Sequence, residues 1–175
     1  LGGGMGITYS NKNKKLDYKK YNNAILRFLK NNDVKIIFEP GRSIIGDTGT
    51  LITKVIYIKD SGSKKFIILD AAMNDLMRPA LYGAIHKTLP VIKSNIYSKK
   101  TYEFVGPICE STDKFVTLNK FQKLKEKDLI AICDVGAYGM SLSSNYNLRA
   151  KPTELLIKGS KIKIIRKRQK HSDLI

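Results

Sequence analysis

Tryptophan is absent from this sequence, and cysteine and histidine occur only twice each. Two cysteines exclude a disulfide-built scaffold and favour a reducing compartment, so a cytoplasmic location is expected. Cys109 and Cys133 lack the short paired spacing of a zinc site, and neither makes an evident pair with His86 or His171, so no metal is expected. No apolar run approaches the roughly 18 residues of a membrane span, which excludes a membrane-crossing helix. The opening residues form neither a basic-then-apolar leader nor a transit-like segment. Internal repeats and low-complexity stretches are missing too. What remains, 175 residues with 42% hydrophobic and 27% charged side chains, suits one folded unit with a sizeable core.

Acidic residues are scarce: 15 stand against 32 basic ones, a formal charge of +17. Such an excess invites a nucleic-acid reading. Arginine is scarce as well, with six against 26 lysines, and the basic residues are scattered from Lys12 to Lys170. Readers of bases and phosphates use arginine forks interleaved with aromatics. The abundance of Lys, Ile and Asn looks instead like compositional drift, and no nucleic-acid partner is expected. One dense cluster, Lys161, Lys163, Arg166, Lys167, Arg168 and Lys170, reads as a solvated strand and tail. An anionic contact there, or steering of acidic substrates, is the alternative.

Two patterns divide the chain. Asp17 to Asn31 reads as a helix, with Tyr21, Ala24, Ile25, Phe28 and Leu29 at helical spacing. Val34 to Phe38 is a short, β-branched run that predicts a buried strand, ending at Glu39-Pro40-Gly41-Arg42. Glycine run, helix, strand and polar loop make half of a βα repeat. From Thr50 onward, strands are predicted at Leu51 to Lys59, Lys65 to Leu69, Leu89 to Lys93, Thr101 to Ile108, Leu129 to Val135, Thr153 to Lys158 and Lys161 to Arg166. Turns such as Asp60-Ser61-Gly62-Ser63 separate them. This predicts a mostly antiparallel β-domain over residues 47–175, after a βα segment over residues 1–46.

Five segments carry possible chemistry. Gly2-Gly3-Gly4, leading towards a helix, can present backbone N–H groups to an anion, or is simply a turn. Glu39 and Arg42 stand just past the predicted strand, where barrels of βα units build their sites, although acid and guanidinium could equally pair with each other. Arg78-Pro79-Ala80-Leu81-Tyr82 offers a bidentate carboxylate grip beside a hydroxyl, or an ordinary short helix with a surface arginine. Cys109-Glu110-Ser111-Thr112-Asp113 sets a thiol beside an acid. Cysteine thiols titrate near ~8.5 in water, which suits a proton donor better than a standing nucleophile; a buried inert cysteine is the alternative. Gly136-Ala137-Tyr138-Gly139 exposes an aromatic between glycines, or is a tight turn.

The order and spacing of these pieces are more specific than any one of them. Leu1-Gly2-Gly3-Gly4-Met5-Gly6-Ile7, Glu39-Pro40-Gly41-Arg42, Arg78-Pro79-Ala80-Leu81-Tyr82, Cys109-Glu110-Ser111-Thr112-Asp113 and Gly136-Ala137-Tyr138-Gly139 together resemble the diaminopimelate decarboxylase family. These are lysine-biosynthetic members of the fold-type III pyridoxal-phosphate decarboxylases, related to ornithine decarboxylase and alanine racemase. The likeness covers essentially the whole chain but only the C-terminal part of the family's length. It implies an α+β fold: the last βα elements of a (β/α)8 barrel, then an alanine-racemase-like antiparallel β-domain.

The resemblance also implies a site and a reaction, decarboxylation of meso-2,6-diaminopimelate to L-lysine with pyridoxal 5'-phosphate. Gly3 and Gly4 would contact the cofactor phosphate, Glu39 its ring nitrogen, and the Pro40-Gly41-Arg42 turn its phosphate again. Arg42, Arg78 and Tyr82 would grip the distal carboxylate of the substrate, and Glu110 its distal ammonium. Cys109 would reprotonate the carbon that loses carbon dioxide. Tyr138 would touch both cofactor and substrate. The family's head-to-tail homodimer implies that Cys109 and Glu110 act in the partner's site.

The lysine that holds the cofactor covalently lies, in the family, in barrel strands upstream of anything present here. None of the 26 lysines has its expected context. The first glycines also have no strand before them. Residue 1 is therefore expected not to begin a complete fold, the chain alone is expected to be inactive, and a separate N-terminal barrel half is an expected partner. Residues 1–46 are expected to be the least stable part. A catalytically inactive remnant and, less favoured, a basic nucleic-acid-binding module are the competing readings.

Overall fold

The computed structural model describes residues 1–9 and 15–175. Lys12, the first of the scattered basic residues, lies outside the described residues. A helix, α1 (Tyr18–Lys30), forms where the periodicity places it. The Asp17 carboxylate caps it, accepting from the N–H groups of Lys19 and Lys20 at 3.0 and 3.1 Å. Arg27 and Lys30 complement the negative end of its dipole. None of its residues is buried; the Tyr21 ring meets Phe38 at 6.2 Å between centroids.

Val34 to Phe38 corrects an expectation. The run is neither a strand nor buried, and Ile37 is 75% exposed. A strand needs a ladder to satisfy its amides, and among the described residues only Leu1 bonds alongside. The Leu1 amino group donates to the Ile37 carbonyl at 2.8 Å, and the Glu39 N–H donates to the Leu1 carbonyl at 3.2 Å. Those two bonds align the glycine turn with the Glu39 loop. The backbone then tightens into α2 (Arg42–Ile45) and one 3-10 turn before the sheet begins.

The β-domain is built on β1 (Thr50–Ser61), β2 (Lys64–Leu69), β3 (Thr88–Pro90), β4 (Thr101–Val105), β5 (Lys114–Leu118) and β6 (Leu129–Cys133). Their spatial order is β3-β6-β1-β2-β4-β5. All neighbours are antiparallel except β2 and β4, which run parallel. The chain between those two strands has to return to the end where β2 began. On its way it carries a short helix, α3 (Arg78–Tyr82), and then β3 on the far edge of the sheet. Strand β5 was not expected; adjacent Phe115 and Val116 are both buried, which hides the alternation a strand ordinarily shows.

Alternate residues fill the core. Val55, Ile67, Leu69, Tyr102, Phe104, Val116, Ile130 and Ile132 interdigitate with Leu76 and Phe121. The Phe104 and Phe121 rings meet edge to face at 5.1 Å. Along β1 the inward set is Leu51, Thr53 and Val55, then Ile58. A register shift between Val55 and Tyr57 moves the phase by one residue, as a bulge must. Beyond the sheet, β7 (Glu154–Lys158) and β8 (Lys161–Arg166) form a separate exposed hairpin. The basic cluster is thus on a solvated strand and tail, with Arg166 paired to Glu154 at 2.6 Å. Among the described residues no helix is long and apolar enough to cross a membrane.

Candidate functional site

Two glycines hold the site together. The Gly136 N–H donates to the Gly46 carbonyl and the Val135 N–H to the Gly49 carbonyl, both at 3.0 Å. A Cβ on Gly49 would strike the backbone of Gly136, and one on Gly136 would strike the Ile45 carbonyl. The turn after β6 therefore lies flat against the α2 segment. Tyr138, at the tip, adopts φ 63, a conformation that costs a non-glycine residue and is kept where the surroundings enforce it. Its ring stands 5.6 Å from the Arg42 guanidinium.

Arg78 approaches the same ring from α3, its guanidinium 6.0 Å from the Tyr138 centroid. Gly83, at φ 61, caps that helix and turns the chain back towards His86. Arg78 is 6% exposed, so the short helix is present but its arginine is not on the surface. Its cation also lies over the Tyr9 ring at 4.8 Å. The one side-chain hydrogen bond of Arg78 among the described residues runs from Nη1 to Nε2 of His86, at 3.2 Å. No carboxylate among the described residues lies within ion-pair distance of it. Burying a cation without a counter-charge is costly, and such a group is poised for an anion. The Tyr9 hydroxyl is likewise buried without a partner among the described residues.

Arg42, Arg78, Tyr82 and Tyr138 line one cavity of about 440 Å³. The structure thus joins four of the residues singled out in the sequence, contributed by α2, α3 and the turn after β6. A second, larger groove of about 640 Å³ runs past Ile92, Gln122 and Leu129, away from these residues. Among the described residues no lysine lines the smaller cavity.

The other singled-out residues lie outside that lining. Gly3 and Gly4 turn with φ 80 and 71, the left-handed region that favours glycine, and the Gly3 N–H donates to the Leu1 carbonyl at 2.8 Å. A Cβ on Gly3 would come within 2.5 Å of the Glu39 carbonyl oxygen, whereas Gly4 and Gly41 face open space. Glu39 is exposed, and Pro40 is half-buried beside it. Gly4 and Gly41, which face open space, the Glu39 carboxylate and the two arginines are groups of the kinds that suit a phosphorylated, protonated heteroaromatic group.

Cys109 and Glu110 are exposed on the loop between β4 and β5. Cys109 is therefore not the buried cysteine of the alternative reading; the half-buried one is Cys133, whose thiol is pushed up by burial and by the neighbouring Asp134. Asp113 anchors the loop. Its carboxylate accepts from the Met73 N–H at 2.7 Å and the Ile108 N–H at 2.8 Å. Burial pushes its carboxyl up, against those two bonds and Arg149. Asp113, His86 and Tyr9 were not recognised in the sequence as site-building residues. His86 offered one signal, as a single histidine eight residues after Arg78.

A curled, mostly antiparallel sheet with a cationic, aromatic-lined cavity at its margin is the architecture of a cofactor-dependent decarboxylase's second domain. The chain belongs to the pyridoxal-dependent decarboxylase family: residues 9–136 match its C-terminal sheet domain. Over its full length the chain is 40% identical to the diaminopimelate decarboxylase of Aquifex aeolicus, and 43% identical to that of Zymomonas mobilis. It spans about 41% of the length of each, the C-terminal portion. The crystal structure of the Helicobacter pylori diaminopimelate decarboxylase complexed with L-lysine superposes with a TM-score of 0.90 at 44% identity, covering 99% of this chain and 42% of that one. The lysine/ornithine decarboxylase of Vibrio vulnificus, 20% identical, shares the fold, with a TM-score of 0.74 over 85% of this chain and 40% of its own.

Proposed function

We propose that this chain forms the C-terminal portion of a decarboxylase that converts meso-2,6-diaminopimelate to L-lysine. The observation that carries this reading is Arg78, a buried cation without an anionic partner among the described residues, set with Arg42 around Tyr138 in one cavity. A substrate with a carboxylate at the end that does not react supplies the missing charge.

Gly4, Gly41 and Arg42, on the turn that Gly3 sets, would hold the phosphate of pyridoxal 5'-phosphate, and Glu39 would keep its ring nitrogen protonated. When bound, that cofactor supplies the electron sink that accepts the bond pair as carbon dioxide leaves. Arg78, Arg42 and the Tyr82 hydroxyl fix the distal carboxylate, and Tyr138 closes against both cofactor and substrate. Glu110 takes the distal ammonium. Cys109 delivers a proton to the carbon that has lost carbon dioxide. Neither Cys109 nor Glu110 lines this chain's cavity, and both are exposed; this supports their action in the site of a second copy in a homodimer. The covalent lysine comes from a barrel portion outside this chain.

Co-expression tests the reading. The chain is produced with the N-terminal portion of the Helicobacter pylori relative, and lysine formation from meso-diaminopimelate is measured with added pyridoxal phosphate. The expected result is lysine formation that depends on both polypeptides and whose KM rises at least about tenfold on Arg78→Ala, a charge-assisted contact being lost. A complex that binds pyridoxal phosphate yet forms no lysine, or an Arg78→Ala complex with unchanged KM, would overturn it.

A further inference from the structure

The side chain of His86 is 3% exposed and lies at the centre of the polar contacts behind the cavity. Nδ1 lies 3.0 Å from the Cys133 carbonyl oxygen, and Nε2 lies 3.2 Å from Nη1 of Arg78. A carbonyl only accepts and a guanidinium only donates. Both contacts are satisfied together by one form alone: neutral imidazole with its proton on Nδ1 and its lone pair on Nε2. The Tyr9 ring packs edge-on against the imidazole at 5.3 Å and also lies under the guanidinium, so ring and cation share one slot. The charged groups facing His86 are Arg78 from α3 and Asp134 from the end of β6. Burial and Arg78 both disfavour its charged form, which agrees with the geometry.

We infer that His86 is a positioning residue: as a neutral acceptor it fixes the Arg78 guanidinium, and so sets the preference for a ligand bearing a distal carboxylate. This rests on the reading of Arg78 as the carboxylate grip. The physical reason lies in the choice of partner. A carboxylate at position 86 would neutralise Arg78 and compete with the ligand's own carboxylate. A neutral acceptor orients one N–H and leaves the charge, and the other four N–H groups, available. The Cys133 carbonyl supplies the second anchor, because it sits at the end of β6 on the rigid sheet.

Nitrogen-detected NMR on the 175-residue chain at neutral pH tests the device without any ligand. Long-range couplings from the His86 ring protons are expected to show a protonated Nδ1 and a bare Nε2, and the Arg78 side-chain N–H signals are expected to be distinct and slowly exchanging. His86→Phe keeps the ring volume and should average those Arg78 signals, while His86→Gln, whose carbonyl oxygen can stand in for Nε2, should restore them. A protonated Nε2 in the wild-type chain, which needs no variant to observe, overturns the inference. So do Arg78 signals that ignore His86→Phe.

In the co-expressed enzyme, His86→Phe should raise the KM for meso-diaminopimelate about tenfold with little change in kcat, and His86→Gln should recover most of the loss. A KM unmoved by His86→Phe while Arg78→Ala still raises it sinks the positioning role alone. A KM unmoved by Arg78→Ala sinks the reading of the cavity, and this inference with it.

Discussion

Gly49 and Gly136 meet backbone to backbone, and that approach brings Arg42 beside Tyr138. A methyl group on Gly136 would collide with the Ile45 carbonyl and come within 2.9 Å of the Gly49 amide nitrogen. Neither obstacle is a flexible side-chain end, so the strands of chain have to part. Gly136→Ala is expected to destabilise the fold by about 1–3 kcal/mol, as overpacking does. Gly6→Ala, whose Cβ enters open space, should stay within about 0.5 kcal/mol. Urea denaturation of the two variants checks this, and equal midpoints would refute the close-approach argument.

Asp113 buckles the Cys109 loop to the segment before α3 through the N–H groups of Ile108 and Met73. Asparagine there keeps one acceptor but turns an amide N–H group against the other donor. Asp113→Asn should therefore cost about 1–3 kcal/mol, the penalty of an unsatisfied buried donor. Amide exchange at Ile108 and Met73 should speed up, while exchange within β6 falls only with global stability. Unaltered protection at both amides would show that the loop is held by something else.

Much of this was legible in the sequence, and the exceptions have physical causes. Apart from β5, the strands of the sheet are visible because each buries one face, so Tyr102 and Phe104, or Ile130 and Ile132, alternate with outward residues. Arg42, Arg78, Tyr82 and Tyr138 could be grouped through the resemblance, since their motifs are local even though the cavity is not. Val34 to Phe38 misled because hydrophobicity reports a preference for burial, while a strand also requires a neighbouring ladder. Asp113 and His86 were hidden for a different reason. Their roles lie in hydrogen bonds to Met73, 40 residues away, and to the Cys133 carbonyl, 47 residues away, which no local pattern encodes.

Glu103 and Asp113 make stability depend on pH in opposite directions. Glu103 sits between Lys64 and Lys114, at 2.8 and 3.2 Å, and its carboxyl is held below the usual range, chiefly by the Lys64 hydrogen bond. A lowered native pKa means that the unfolded chain binds the proton more readily. The stabilisation from Glu103 is present above about pH 4.5 and is lost as pH falls through the lowered value. Asp113 is raised by burial, so its contribution is fullest below about pH 3.8 and is lost as pH rises through the raised value. Glu103→Gln should flatten the acid side of a stability profile, and Asp113→Asn the side above it. Midpoints of thermal melts between pH 3 and 7 read both; identical profiles for wild type and Glu103→Gln would remove the role assigned to the Lys64 and Lys114 pairs.

Cys109 decides whether the site is shared. In the co-expressed enzyme, Cys109→Ala should lower kcat by about 10²–10⁴, the range for loss of a positioned proton donor, with cofactor binding retained. If Cys109 serves the opposite subunit, it and Arg78 of the same chain belong to different sites. Cys109→Ala and Arg78→Ala enzymes are each impaired alone. Unfolded and refolded together, they form mixed dimers in which one site carries both lesions and the other carries neither. Random pairing of two kinds of subunit in a two-fold dimer makes half the dimers mixed, each with one intact site, so about a quarter of wild-type activity should return. A site built within one chain predicts no recovery, because every site in the mixture then keeps one lesion. The assay therefore separates the two architectures by a yes-or-no rise in lysine formation, and a flat result would return Cys109 and Glu110 to their own subunit.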